Sequence, residues 1–347
     1  MKNITYARES PLKVLQGTME IANQMHTLSK GLEESGTISK IINYYPSYLN
    51  YQSEYELKGW KHPANREEAL HFIQNRLFPE YDLFHFHFST SLLLDHSDLK
   101  LLSSENKPMI MHHWGSDVRS LTKALQINPY AKAKLTNEAS IEQKLELLAS
   151  DIKYCISPDH EIFHYVKNYY ETIYFVPTMI DLSSYTANIS KQNEKPLIVH
   201  APTNPEIKGT AHVLRAIDKL QSEFQFDFRL VQNMSHSEAK KIYEQADLII
   251  DQLHIGSYGL FAVEAMAMGK PVICYISDYM AAHYPKTLPL VSANPDTLTE
   301  KVRFLLQNQD CFAELGMKSR AYVKAQHDYI KNSQQLLEIY RTIIDSG

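Results

Sequence analysis

Residues 256–275 read GSYGLFAVEAMAMGKPVICY, a tight turn, a short helix and a buried strand in direct succession. Gly256, Ser257 and Gly259 loosen the backbone where a helix begins, so main-chain N–H groups can come close to a ligand. From about Leu260 to Met268 the segment is studded with alanines, which lets neighbouring elements approach closely. Gly269 stops that helix and Pro271 forbids its continuation. The VICY run after it is β-branched and aromatic, as a covered strand requires. Glu264 is the one carboxylate in this helix. An ionised carboxylate buried without a partner is costly, so Glu264 is expected to face a polar cleft or a hydrogen-bonding ligand.

Outward from this stretch, short apolar strands alternate with periodic helical segments. Upstream lie PLIVHA (196–201), a helix from Thr210 to Leu220, FDFRLVQ, a helix capped by Ser235 and Glu238, and DLIIDQL. Further upstream, KVLQG (13–17) leads into a helix through Ile21, Met25, Leu28 and Leu32. ISKIINYY comes next, then a helix opened by an Asn65/Glu68 capping box. FHFHF (84–88), PMIMHHW (108–114), IKYCIS (152–157) and IYFVP (173–177) continue the strands, with a largely helical excursion over 118–150. The alternation argues for parallel sheets covered on both faces. A polar, aperiodic run after Pro177 reads as a hinge. Downstream, Asn294 and Pro295 read as the N-cap and first residue of a further helix, and two helices at about 309–325 and 330–345 have no strand after them.

With 347 residues the chain can bury two separate cores. Its formal charge of −5 argues against a nucleic-acid-binding surface. Three cysteines, at 155, 274 and 311, form no close pair and no metal spacing, so a reducing, cytoplasmic setting is expected. No apolar run reaches the length of a signal peptide or a membrane span.

A second stretch, HAPTNPEIKGT (200–210), runs from a strand end to the start of a helix. Its unpaired N–H groups, helix dipole and the Lys208 ammonium make an anion site. The helix starts near 210 and 260 are expected to converge beyond the carboxyl ends of parallel strands, where open α/β sheets bind nucleotides.

The 256–275 stretch resembles the signature of retaining GT-B glycosyltransferases of the glycogen-synthase and sucrose-synthase-like clan, glycosyltransferase family 4. The resemblance rests on Tyr258-Gly259-Leu260, Glu264-Ala265-Met266-Ala267 and Gly269-Lys270-Pro271-Val272. That family carries a Glu-x7-Glu pattern, and here the first acid's position is Gly256. It implies two Rossmann-like domains facing across a cleft. The expected division is 1–180 on the acceptor side, 195–329 on the donor side, and 330–347 crossing back to the first domain.

The resemblance further implies a nucleoside-diphosphate-sugar donor and a glycan or lipid-linked acceptor. Lys208, with main-chain groups of Gly209, Tyr258, Gly259 and Leu260, would hold the diphosphate, and Glu264 the ribose hydroxyls. His113, before a Gly-Ser-Asp turn, would contact the transferred sugar, with Asp117 as a helix cap or cleft residue. Gly17, at the first strand–helix turn, would let the chain approach the donor. Asn204, Thr210 and Ser257 complete the expected donor set, and Asn233 is placed by topology beside the base. An Arg that many members carry upstream of Lys208 is absent. Surface polysaccharide or glycoconjugate assembly is the family's usual work, which leaves contact with the inner face of the membrane open.

No cofactor or metal is expected. His85 and His87 share one face of a strand and His112 and His113 end another, but no HExxH or CxxC spacing supplies a zinc set. The chain contains no Asp-x-Asp, the cation motif of the GT-A class. A nicotinamide oxidoreductase would need GxGxxG after a first strand, and neither half has one. A catalytically silent GT-B subunit, which binds a sugar nucleotide or a partner, is the competing expectation.

Overall fold

The computed structural model describes residues 10–45, 55, 65–189 and 193–346. The first nine residues and 190–192, in the middle of the expected hinge, lie outside it. Among the described residues ten strands form two wholly parallel sheets. The first contains β1 (Lys13–Thr18), β2 (Ile38–Asn43), β3 (Leu83–His87), β4 (Met109–His112), β5 (Tyr154–Ser157) and β6 (Thr172–Phe175), in the order β2-β1-β3-β4-β5-β6. The second contains β7 (Leu197–His200), β8 (Asp227–Leu230), β9 (Leu248–Ile250) and β10 (Val272–Ile273), in the order β10-β9-β7-β8. Every strand expected from the apolar runs is present.

Period-two alternation distributes each strand between two cores. On β3, Phe84 and Phe86 enter one core while Leu83 enters the opposite one. In the second sheet Val199, Ile249 and Val272 face one way and Ile198, Leu248, Ile250 and Ile273 the other. The helix Gln24–Glu34 covers the first sheet, and the last helix, Tyr329–Asp345, packs against it. The approach is close enough that a Cβ on Gly31 would lie 2.1 Å from Ser333 Oγ. Leu336, Tyr340 and Ile343 thereby join the core of the first domain.

The chain crosses between domains twice, and the two crossings lie side by side. Ile180 N donates to His327 O (2.9 Å) and Tyr329 N to Ile180 O (3.3 Å). His327 adds a bond from Nδ1 to Thr178 O at 2.8 Å.

Three local expectations are corrected. The 118–150 excursion has helices only at Leu121–Leu125 and Glu138–Ala149, and the irregular segment between them reaches the other domain. The first helix begins after Ala22 and Asn23, both left-handed, so Ile21 lies outside it. Asn294 caps a turn instead of a helix. Its Oδ1 accepts from Asp296 N and Thr297 N, and the helix starts at Leu298. The capping box at Ser235 and Glu238 forms as expected. Among the described residues, no helix is long and apolar enough to cross a membrane.

Candidate functional site

Both sheets change direction beside their first strand, and in the second sheet that switch point lies between β7 and β9. β7 ends at His200, whose Nε2 meets Thr210 Oγ1 at 3.0 Å and whose Nδ1 meets Ile250 O at 2.8 Å. The chain then turns through Asn204, whose Oδ1 accepts from Glu206 N and Ile207 N. The single helical turn Pro205–Lys208 follows. Gly209, at φ +77°, reverses the chain into the helix Thr210–Gln221. A side chain there would place Cβ 2.9 Å from Leu253 Cβ.

This path delivers Lys208 to the end of β9. Its ammonium donates to Asp251 Oδ1 at 2.7 Å and to Gln252 Oε1 at 2.8 Å. Gln252 in turn donates from Nε2 to Ser257 O at 2.5 Å, tying the same cluster to the glycine turn. The Lys208 Nζ atom lies 3.7 Å from where a Cβ on Gly259 would stand. Gly259 is the N-cap of the helix Leu260–Ala267, and no side chain caps that end. The first amides of a helix have no intrahelical acceptor. Among the described residues the ammonium has two acceptors for its three N–H groups, and it sits beside a helix start, an arrangement suited to a phosphate.

Glu264 lies about one turn further along, 8% exposed. Its Oε1 accepts from Tyr185 OH and pairs with His236 Nε2, each at 2.8 Å. The bond to Glu264 raises the His236 pKa above its ordinary 6.5. Both contacts fall on Oε1, and among the described residues no hydrogen bond falls on Oε2. Tyr258 directs its side chain away from this cluster. Its hydroxyl meets Tyr322 OH and His327 Nε2, each at 3.0 Å, and its ring stacks on Tyr284. The Tyr258 side chain therefore takes no part in the Lys208 cluster. Asn233, left-handed at φ 56°, stands exposed between β8 and the helix His236–Gln245.

Gly256, where the resembled family has its first acid, sits at φ +80°. A Cβ there would lie 2.9 Å from Asn128 Nδ2 and 3.1 Å from Ser277 Cβ. Asn128 comes from the first domain and donates to His254 O at 3.0 Å, while His254 Nδ1 meets Tyr130 O at 2.8 Å. Tyr130 OH also donates to Asp296 at 2.5 Å. The position is thus occupied by a left-handed glycine, with the Asn128 amide packed against it from the other side of the expected cleft.

His113 does not reach that cleft. It is wholly buried, with Nδ1 2.8 Å from Asp117 Oδ2 and Nε2 2.7 Å from Tyr170 OH. Both ring nitrogens are committed, which corrects the expectation of a sugar contact. Burial alone would raise the Asp117 carboxyl, but bonds from His113, Gly115 N and Trp114 N outweigh it and hold the pKa low. Gly17 lies in the first domain beside Ile42, and Thr18 Oγ1 meets Thr90 Oγ1 at 3.0 Å. Among the described residues no hydrogen bond joins Gly17 or His113 to the Lys208 group. Burial also drives the pKa of His85 down to about 3 and those of His87 and His112 well below 6.5, so all three are neutral.

Asp251, Gln252, His236, Tyr185 and Asn128 were not anticipated. Asp251 and Gln252 had a signal, since polar residues directly after a buried strand sit at the crevice. Tyr185 and Asn128 had none, because nothing local shows which distant element they meet.

Residues 223–335 match the protein family described as Glycosyl transferases group 1. That region contains the Glu264 helix and stops short of Lys208. The whole chain superposes on sucrose-phosphate synthase from Thermosynechococcus elongatus at TM-score 0.67 and 14% identity, covering 97% of this chain and 100% of that one. A glycosyltransferase from Rickettsia africae ESF-5 gives 0.68 and 13%, with 98% and 100% covered. Anabaena HepE in complex with UDP-glucose gives 0.64 and 11%, with 95% and 99% covered. The chain has the GT-B fold. The similarity to the group 1 glycosyl transferases is confined to residues 223–335, about a third of the chain. No curated protein sequence matches it.

Proposed function

We propose that this protein transfers a sugar from a nucleoside-diphosphate-sugar donor to an acceptor hydroxyl, with retention of configuration and no metal at the transfer centre. The observation that carries this reading is the Lys208 ammonium, held by Asp251 and Gln252 beside the uncapped start of the Glu264 helix. Charge develops on the diphosphate as the bond from the sugar C1 to phosphate oxygen breaks. Preorganised donors aimed at that charge supply much of an enzyme's transition-state stabilisation. The acceptor oxygen attacks from the same face, and the departing phosphate oxygen takes its proton. Glu264 Oε2 accepts from the donor ribose, with Oε1 anchored by Tyr185 and His236. A glycan or lipid-linked acceptor and a cytoplasmic place in surface polysaccharide assembly rest on the family resemblance.

A donor-binding subunit without transfer activity is the second reading, favoured by the filled space at Gly256. Release of nucleoside diphosphate from a panel of UDP-, GDP- and ADP-sugars separates the two. The transferase reading expects turnover with at least one donor, reduced about 10²–10³-fold by Lys208→Ala, the range for losing one preorganised donor. Binding without release of diphosphate from any donor would select the silent subunit.

A further inference from the structure

The face of the first sheet beneath the terminal helix carries polar side chains that the donor site does not use. His85 and His87 stand two residues apart on β3, and His112 is the registered neighbour of His87 on β4. All three are buried, and each offers a ring nitrogen within 4.8 Å of the other two. His87 is satisfied at both ends, by Gln16 Oε1 at 3.1 Å and Trp114 Nε1 at 3.2 Å. His85 Nδ1 meets Tyr340 OH at 2.6 Å, but its Nε2 has no partner. Neither nitrogen of His112 has one among the described residues. Three unmet buried nitrogens on two adjacent rings are an anomaly in a native core, where buried polar atoms are nearly always paired.

We propose that His85, His87 and His112 bind one imidazole-preferring transition-metal ion of the zinc type. Three neutral imidazoles and no carboxylate suit zinc, copper or nickel, and do not suit magnesium or calcium. Zinc–nitrogen bonds of about 2.0–2.1 Å require the three nitrogens to draw closer than they now stand, and the three rings, now stacked with centroids 4.2 to 5.5 Å apart, to turn toward a common point. An imidazole ligand ordinarily donates its second N–H to an outer partner that fixes its tautomer. Tyr340 OH fills that place for His85, leaving Nε2 as the ligand atom. His87 exchanges one of its present bonds, to Gln16 or Trp114, for the metal. Half-buried Trp114 stacks on His112 with ring centroids 3.9 Å apart and stands between the cluster and the surface. Because two strands and the terminal helix assemble the site, no local spacing announces it. The ion would pin that helix to the first sheet, in the domain opposite Lys208, and the proposal stands apart from the reading of that site.

The test is calorimetric titration of chelator-stripped full-length protein with Zn²⁺, with Co²⁺ as the spectroscopic probe and Mg²⁺ as the control. One zinc per chain is expected, with a raised Tm, visible absorption on adding Co²⁺, and no response to Mg²⁺. His112→Gln should remove that equivalent while the far-ultraviolet circular dichroism is unchanged. Tyr340→Phe should weaken it about 10- to 100-fold, the usual cost of losing an outer-sphere partner. No zinc uptake, or a site that survives both His112→Gln and His85→Gln, overturns the proposal. If the glutamine variants do not fold, the affinity of Tyr340→Phe decides, and an unchanged value overturns it.

Discussion

In the first domain the switch point falls between β1 and β3, in the second between β7 and β9, and the contents of the two crevices differ. At β1 the space is taken by the protein's own side chains. Gln16 donates to Ser29 and Ser39, Thr18 binds Thr90, and Trp114 lies over His112. At β7 the chain instead brings in an ammonium on two acceptors and leaves helix-start amides unpaired. The same parallel topology therefore supplies two switch points, and among the described residues the one at β7 carries the ammonium on which the proposed donor site rests. Topology locates a site, and the state of the hydrogen-bonding groups decides whether it is one.

The contrast can be broken first at His113. His113→Ala leaves the Asp117 carboxylate buried without its main partner and should cost about 3–5 kcal/mol in urea unfolding, the range for a broken buried pair. Nucleotide affinity of the folded protein should not change. Unaltered stability together with lost sugar transfer would return His113 to the role its sequence suggested.

At the contact between the domains, Gly256→Ala should cost about 1–3 kcal/mol, because the residue holds φ +80° and its Cβ would press on Asn128. Asn128→Ala in the same chain should recover part of that loss, leaving the strain of the positive φ. A fully stable Gly256→Ala would show that this packing is not rigid.

The smallest effect lies at Glu264. His236 should titrate above 6.5 by NMR, and Glu264→Gln should return it to the ordinary range. A histidine whose pKa is raised on folding adds stability that is complete below its unfolded pKa and is lost as pH rises through the folded one. The pair is half exposed on the histidine side, so the contribution is about 0.2–1 kcal/mol at most. A titration at 6.5 in both proteins would remove the anchor assigned to Oε1.

The strands and the helix starts at Thr210 and Leu260 were legible because their signals are local: apolar runs, a glycine stop before proline, and Lys-Gly at a helix start. Lys208 and the 256–260 turn come together because parallel strands must place both at one sheet edge. His113 was misread because its fate depends on Tyr170, remote in sequence and close in space. Gly256 looked like a loss, when a first-domain amide fills its place. The histidines were noticed in the sequence and set aside for want of a zinc spacing, and it is the register across β3 and β4 that brings His112 beside His87.

Calorimetric titration with UDP, GDP and ADP, on wild-type protein and Lys208→Ala, tests the central claim most directly. The account predicts that at least one nucleoside diphosphate binds and that the alanine variant weakens it by about tenfold or more, as loss of a charged hydrogen bond worth about 1.5–3 kcal/mol implies. Equal affinity in the two proteins, or no binding of any of the three, would contradict it.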